Sequence, residues 1–259
     1  MDDVAIFAAL GWEARAVLAA LAGVEADRSA GTWRGYLGDG ASCVVVQTGM
    51  GGRRAAAAAE RAPAARLFLV CGCAGAVVPG LRAGTLVAAT SLVPLDGAGR
   101  PGAAIALDGA RLVKAAAQRG VAMRAGGLAT ASKVLETPEA KAQAARFGAL
   151  IVDMESGAVA AVARRRGAAF QALRVVLDEA DQRLPRAVLA IDDAGEVRLA
   201  ATLARLTPRP WCWPEIARLA RQRAIAERRL RTALGVLLGG GLDVLGLAPA
   251  PPVERRVTG

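Results

Sequence analysis

The segment Ala149-Leu150-Ile151-Val152-Asp153-Met154-Glu155-Ser156-Gly157-Ala158, followed after an arginine run at Arg164–Arg166 by Phe170-Gln171-Ala172-Leu173-Arg174-Val175-Val176-Leu177-Asp178-Glu179, decides the fold. Each half is a short apolar run that stops at acidic residues, which reads as a buried strand, and the Ser156–Arg166 stretch between them has helical spacing. Strand, helix and strand in that order predict an α/β domain whose central sheet is mixed but mostly parallel and flanked by helices. Strand C-termini in such a sheet open on the ligand crevice, so Glu155 and Asp178 are expected to face one small-molecule site. Taken singly, either residue is equally readable as the cap of a following helix.

Outward from that segment, similar apolar runs recur at Val4–Leu10, Cys43–Gln47, Leu67–Cys71, Thr85–Ala89 and Met123–Ala129, giving seven predicted strands with Leu150–Val152 and Leu173–Leu177. Alanine-rich helical patterns lie between them at Glu13–Leu21, Gly52–Arg61, Gly109–Arg119 and Pro138–Phe147. Thr137 followed by Pro138 is an N-cap with proline in the first turn. Gly, Pro and Asp mark 94–102 as a loop.

The composition changes near residue 194. Residues 195–259 hold eleven arginines against five acidic residues, a net +6 of the chain's +10, so most of the basic excess is C-terminal. Three parts are therefore expected: an α/β domain at 1–194, a basic amphipathic helical extension at 195–247, and a disordered, proline-bearing tail at 248–259. In the extension, apolar residues alternate with arginines from about Glu215 to Leu238. That pattern suits peripheral contact of 211–238 with an anionic membrane, and equally a surface helix packed back on its own domain.

Composition also excludes chemistries. The 259 residues contain no histidine, which removes Ser-His and Cys-His nucleophile pairs and the commonest metal ligand. Four cysteines fit neither a disulfide framework nor a zinc pattern, and a reducing cytosol is the natural compartment. The start Met1-Asp2-Asp3 lacks a signal peptide's basic region, so export is not expected. Leu234–Ala250 is interrupted by Gly239-Gly240-Gly241 and Asp243, so no transmembrane helix is expected. A pI near 10.8 raises nucleic-acid binding, but the arginines are gathered in one tail with little aromatic interleaving, so no nucleic-acid partner is expected.

Four motifs in order carry a resemblance. Ala9-Leu10-Gly11-Trp12-Glu13, Thr48-Gly49-Met50-Gly51-Gly52, the pair Cys71-Gly72-Cys73-Ala74-Gly75-Ala76 and Pro79-Gly80-Leu81-Arg82-Ala83-Gly84-Thr85-Leu86-Val87, and the Asp153-to-Asp181 segment together resemble the nucleoside phosphorylase and nucleosidase superfamily. That resemblance implies an enzyme cleaving a purine N-glycosidic bond, without metal or organic cofactor, inorganic phosphate being a possible co-substrate. It implies a small-molecule purine nucleoside as ligand and a homodimer or larger assembly. A nucleoside-binding module without catalysis is the alternative from another class.

By resemblance, Asp178 is the acid to the purine and Glu155 accepts hydrogen bonds from the ribose hydroxyls. Asp153, Met154, Gly72, Cys73, Ala74 and Leu135 are expected around the nucleoside. Glu13 matches the position that activates water in nucleosidases. Gly49 and Gly51, with Arg53 or Arg54, are expected near phosphate or the nucleophile. Two departures oppose phosphate: Cys73 stands where relatives carry a hydroxyl, and Val70 where phosphate-using relatives carry arginine.

Leu184–Gly195 and the arginine-rich region after it resemble the hopanoid-associated phosphorylase branch. This implies phosphorolysis of a lipid-linked nucleoside, adenosylhopane, by a cytoplasmic protein at the inner face of the membrane. The alternative is a methylthioadenosine or adenosylhomocysteine nucleosidase using water activated by Glu13.

Overall fold

The computed structural model describes residues 1–27, 31–184 and 213–248. Its sheet contains β1 (Asp2–Ala8), β2 (Ala22–Asp27), β3 (Thr32–Tyr36), β4 (Ser42–Gln47), β5 (Ala65–Ala76), β6 (Leu86–Pro94), β7 (Ile105–Ala106), β8 (Arg124–Thr130), β9 (Ala149–Asp153) and β10 (Ala169–Asp178). The helices are α1 (Gly11–Leu18), α2 (Gly52–Arg61), α3 (Gly109–Ala117), α4 (Pro138–Ala145), α5 (Ser156–Arg165), α6 (Trp213–Gly239) and α7 (Gly241–Leu245). The strand order is β10-β6-β8-β9-β5-β1-β4-β3-β2, with β7 beside β6. A further parallel pairing of β10 with β5 closes the first five strands into a ring.

The sheet is mixed, as expected: among the described residues five strand pairings are parallel and five antiparallel, and the parallel ones include both neighbours of β1. Strand alternation assigns the core to two faces. Val4 and Ile6 of β1, with Leu67 and Leu69 of β5, share one buried cluster with α1, α3 and α6. Ala5 and Phe7, with Phe68 and Val70, lie in another with Ala55 and Ala59 of α2 and Val159 and Val162 of α5. Strands covered on both faces have to be apolar throughout, which is why their runs stand out in the sequence.

β2, β3 and β7 were not anticipated. β2 is exposed along its whole length and carries Glu25 and Asp27 at the sheet's edge, where charge blunts further pairing. Such a strand has no apolar run to announce it. β5 is also longer than the predicted Leu67–Cys71, because its glycine-rich end continues to pair with β9 and β10.

The C-terminal helix is taken up by the domain's own core. Ala226, Leu230, Ala233, Leu234, Leu237 and Leu238 of α6 are all at most 1% exposed and share the cluster that holds β1 and β5. Each buried leucine contributes about 1.5–3 kcal/mol. Gly38 makes room for the helix end, since a Cβ there would sit 2.0 Å from the Gly239 carbonyl oxygen, and its N–H donates to Leu238 O at 3.0 Å. Of the two readings of the amphipathic pattern, the apolar stripe packs on the protein. Arg218, Arg221, Arg223, Arg228, Arg229 and Arg231 remain exposed. No helix among the described residues is long and apolar enough to cross a membrane. Trp211, much of the segment linking Asp181 to α6, and most of the proline-bearing tail lie outside the described residues.

Candidate active site

The site is organised around the end of β5. Gly75 is the register partner of Val152 in β9 and of Asp178 in β10, so the two acidic strand ends flank one glycine. Neighbouring strands are about 4.8 Å apart, which keeps the two ends within about 10 Å of each other. A Cβ on Gly75 would lie 3.1 Å from Asp178 Oδ2, so glycine leaves the carboxyl its place.

Asp178 follows an irregularity in the β10 register after Val176, the kind of bulge that re-aims a side chain. Its Oδ2 accepts from Lys141 Nζ at 2.5 Å. Burial pushes its carboxyl above the ordinary aspartate value, while the Lys141 ammonium pulls the other way. Lys141 is 1% exposed and donates also to the carbonyls of Glu179 at 2.7 Å and Gln182 at 3.1 Å. Asp178 is paired with Lys141 and not with Arg174.

Arg174 instead goes to the other strand end. Its Nη2 contacts Asp153 Oδ2, Ser156 Oγ at 3.0 Å and Glu155 Oε2 at 3.8 Å. Glu155 occupies the N-cap position of α5 without capping it by its side chain. Its Oε1 accepts from Gly51 N–H at 2.8 Å and its Oε2 from Met154 N–H at 3.3 Å. Gly51 adopts φ +94°, which only glycine takes without strain, and this turn aims its N–H at Glu155. Burial, reinforced by the neighbouring Asp153, raises the Glu155 carboxyl to about 7.

Asp153 is held by protein groups: its Oδ1 accepts from Thr130 Oγ1 at 2.7 Å, its Oδ2 from Ser156 N–H at 3.2 Å and from Arg174, and its side chain is 1% exposed. Those contacts tie Arg174 and the start of α5 together beside Glu155.

Glu13 is the third carboxylate. Oε2 accepts from the N–H groups of Ala9 and Leu10, both at 2.9 Å, and Oε1 from Cys73 N–H at 2.7 Å. The contact with Leu10 closes the first turn of α1, while Cys73 ties that helix to the end of β5. A Cβ at Gly72 would lie 2.7 Å from the Glu13 carboxylate, so the glycine is needed for this approach. Burial and the adjacent Glu13 hold the Cys73 thiol well above its ordinary value, keeping it protonated.

The other anticipated residues are placed as follows. Ala74 is buried, and Met154 is half-buried with its Cε 4.0 Å from the place of a Gly51 Cβ. Leu135 is half-buried against the cluster holding Val77 and Val152. Gly49, at φ +72°, turns the chain before α2, whose first turn bears exposed Arg53 and half-buried Arg54. Sequence reasoning missed Lys141, Thr130 and the binding role of Arg174. A lysine on the inward stripe of α4, three residues before buried Ala144, was the available signal for Lys141.

The fold is shared with solved structures. A 5'-methylthioadenosine/S-adenosylhomocysteine nucleosidase from Neisseria meningitidis in complex with methylthio-immucillin-A has a TM-score of 0.64 at 20% identity, covering 91% of this chain and 99% of that one. The corresponding nucleosidase from Colwellia psychrerythraea in complex with adenine scores 0.63 at 22% identity, covering 92% and 96%. Futalosine hydrolase of Helicobacter pylori scores 0.64 at 16% identity, covering 95% and 97%. No curated protein matches the sequence. The family model of the phosphorylase superfamily matches residues 3–207, most of the length, and the chain belongs to that superfamily.

Proposed function

We propose that the protein cleaves the N-glycosidic bond of a purine nucleoside, with Asp178 as acid to the purine ring nitrogen N7 and Glu155 as acceptor for the ribose 2′- and 3′-hydroxyls. The observation that carries this reading is the placement of both acidic strand ends on either side of Gly75. A purine leaves readily only when protonated, and a buried carboxyl keeps its proton toward neutral pH. As the bond breaks, positive charge develops on the ribose, and the carboxylates of Glu155 and Glu13 favour it. Methylthio-immucillin-A and adenine, named in the complexes of like-folded nucleosidases, are ligands of the size such a site would hold.

Water as nucleophile is supported by Glu13, whose carboxylate is oriented by three backbone N–H groups beside Cys73. Methylthioadenosine or adenosylhomocysteine is the substrate class of this reading. Phosphorolysis of adenosylhopane at the inner membrane face, by a homodimer or larger assembly, is the second reading. It is favoured by the arginines in the first turn of α2 and by the exposed arginines of α6, which would meet an anionic surface.

Adenine release from methylthioadenosine and from adenosylhopane, each with and without phosphate, tests the proposal. Phosphate-independent release from the first supports the water reading, and phosphate-dependent release from the second supports the other. No release from either overturns glycosidic cleavage of these nucleosides.

A further inference from the structure

The C-terminal helix reaches the acid through a chain of hydrogen bonds. Gln222, on the inward side of α6 and 8% exposed, donates from Nε2 to Gln182 Oε1 at 3.0 Å. Gln182, 3% exposed, offers its own backbone carbonyl to Lys141 Nζ at 3.1 Å, and Lys141 reaches Asp178 at 2.5 Å. The three acceptors of Lys141 are Asp178 and the carbonyls of Glu179 and Gln182, both in the segment that follows Asp178. An ammonium has three N–H groups, so the position of that segment fixes where the buried charge stands.

We propose that Lys141 and Gln222 are positioning residues for the acid: Gln222 of α6 holds the Gln182 segment, the segment holds the Lys141 ammonium, and the ammonium sets the ionisation and direction of Asp178. The inference rests on the assignment of Asp178 as acid to the purine. It gives the packed C-terminal helix a part in the chemistry.

Other charges near Asp178 are already engaged. Glu179 is paired with Arg82 at 2.6 Å, and Glu139 of α4 faces Arg183 at 3.9 Å, both pairs reaching solvent. Lys141 is the charge whose attraction opposes burial at Asp178. Among the described residues, Gln182 Nε2 and Gln222 Oε1 are buried without a hydrogen-bond partner.

The test compares wild type, Lys141→Met, Lys141→Arg and Gln222→Leu in the full-length protein. An acid works in its protonated form, so kcat falls as pH rises through its pKa. Without the ammonium that fall moves to higher pH by about 1–3 units in Lys141→Met. Gln222→Leu moves it the same way by less and lowers kcat about fivefold, the value of one hydrogen bond. Lys141→Arg restores the wild-type pH profile at least in part. Nitrogen-15 NMR of the lysine ammonium groups gives a readout independent of turnover: Gln222→Leu shifts the Lys141 Nζ resonance and speeds its exchange with water. Unchanged pH profiles and an unchanged Lys141 resonance in Gln222→Leu overturn the inference. If wild type releases no adenine, the assignment of the acid fails, and the resonance still decides whether α6 controls Lys141.

Discussion

Arg174 Nη2 stands 3.8 Å from Glu155 Oε2 while also gripping Asp153, so a single buried guanidinium compensates two carboxylates. Removing it as Arg174→Met leaves both buried without a cationic partner, a loss of about 3–5 kcal/mol. Arg174 lowers the Glu155 pKa, so the variant raises it further above 7. The destabilisation is then largest in alkaline buffer and shrinks as falling pH neutralises Glu155. Thermal unfolding of both proteins between pH 5 and 9 checks this, at roughly the range in which a buried carboxyl titrates.

With Glu155 as the proposed acceptor of the ribose hydroxyls, nucleoside binding is expected to follow its ionisation. The folded-state carboxyl titrates near 7, well above the ordinary glutamate value of 4.5, so below about 7 it is protonated and accepts the ribose hydroxyls less well. KM is expected to rise as pH falls through 7 and to level off above it. In Glu155→Gln the KM is high and independent of pH. Initial rates across pH on both proteins measure it. Because the native state retains this proton where the unfolded chain has lost it, stability contributed by Glu155 also declines as pH rises from about 4.5 to 7.

Glu13 separates the two nucleophiles. Glu13→Gln keeps one acceptor for the backbone N–H groups but loses the base, and phosphate-independent adenine release falls about 10²- to 10⁴-fold. Phosphate-dependent release changes by no more than a few-fold. Single-turnover rates with and without phosphate give the comparison.

The leucines of α6 bear on how the extension is organised. Leu234 is fully buried in the cluster shared with β1 and β5. Leu234→Ala is expected to cost about 2–5 kcal/mol in global unfolding, seen as one cooperative transition at lower temperature. A surface helix lying free of the domain would unfold without changing that transition.

The family and the α/β architecture were readable because their signals are local. Strands buried on both faces, such as Val4–Ala8 and Leu67–Val70, have to be apolar at every position, and the acidic residues that follow Val152 and Leu177 stand out. The edge hairpin of β2 and β3 has no such run, and its strands are recognisable only once β4 is in place to pair with. Lys141 in an alanine-rich helix reads as a solvated charge until Asp178 is brought to it from 37 residues away. Asp153 and Glu155 are indistinguishable as acids in one tripeptide, yet Arg174, Thr130 and Ser156 take up the first while Gly51 turns the second toward the site. The amphipathic stripe of α6 was equally plain, but periodicity does not specify what covers it.

The most direct test of the central claim is adenine release by wild type and by Asp178→Asn. The asparagine is nearly the same shape but has no acidic proton to give. With methylthioadenosine or adenosylhopane as substrate, kcat is expected to fall about 10²- to 10⁴-fold with nucleoside affinity kept within a few-fold. Release by Asp178→Asn at the wild-type rate would contradict the assignment of Asp178 as the acid, and with it the reading of the Gly75 strand ends as the catalytic site.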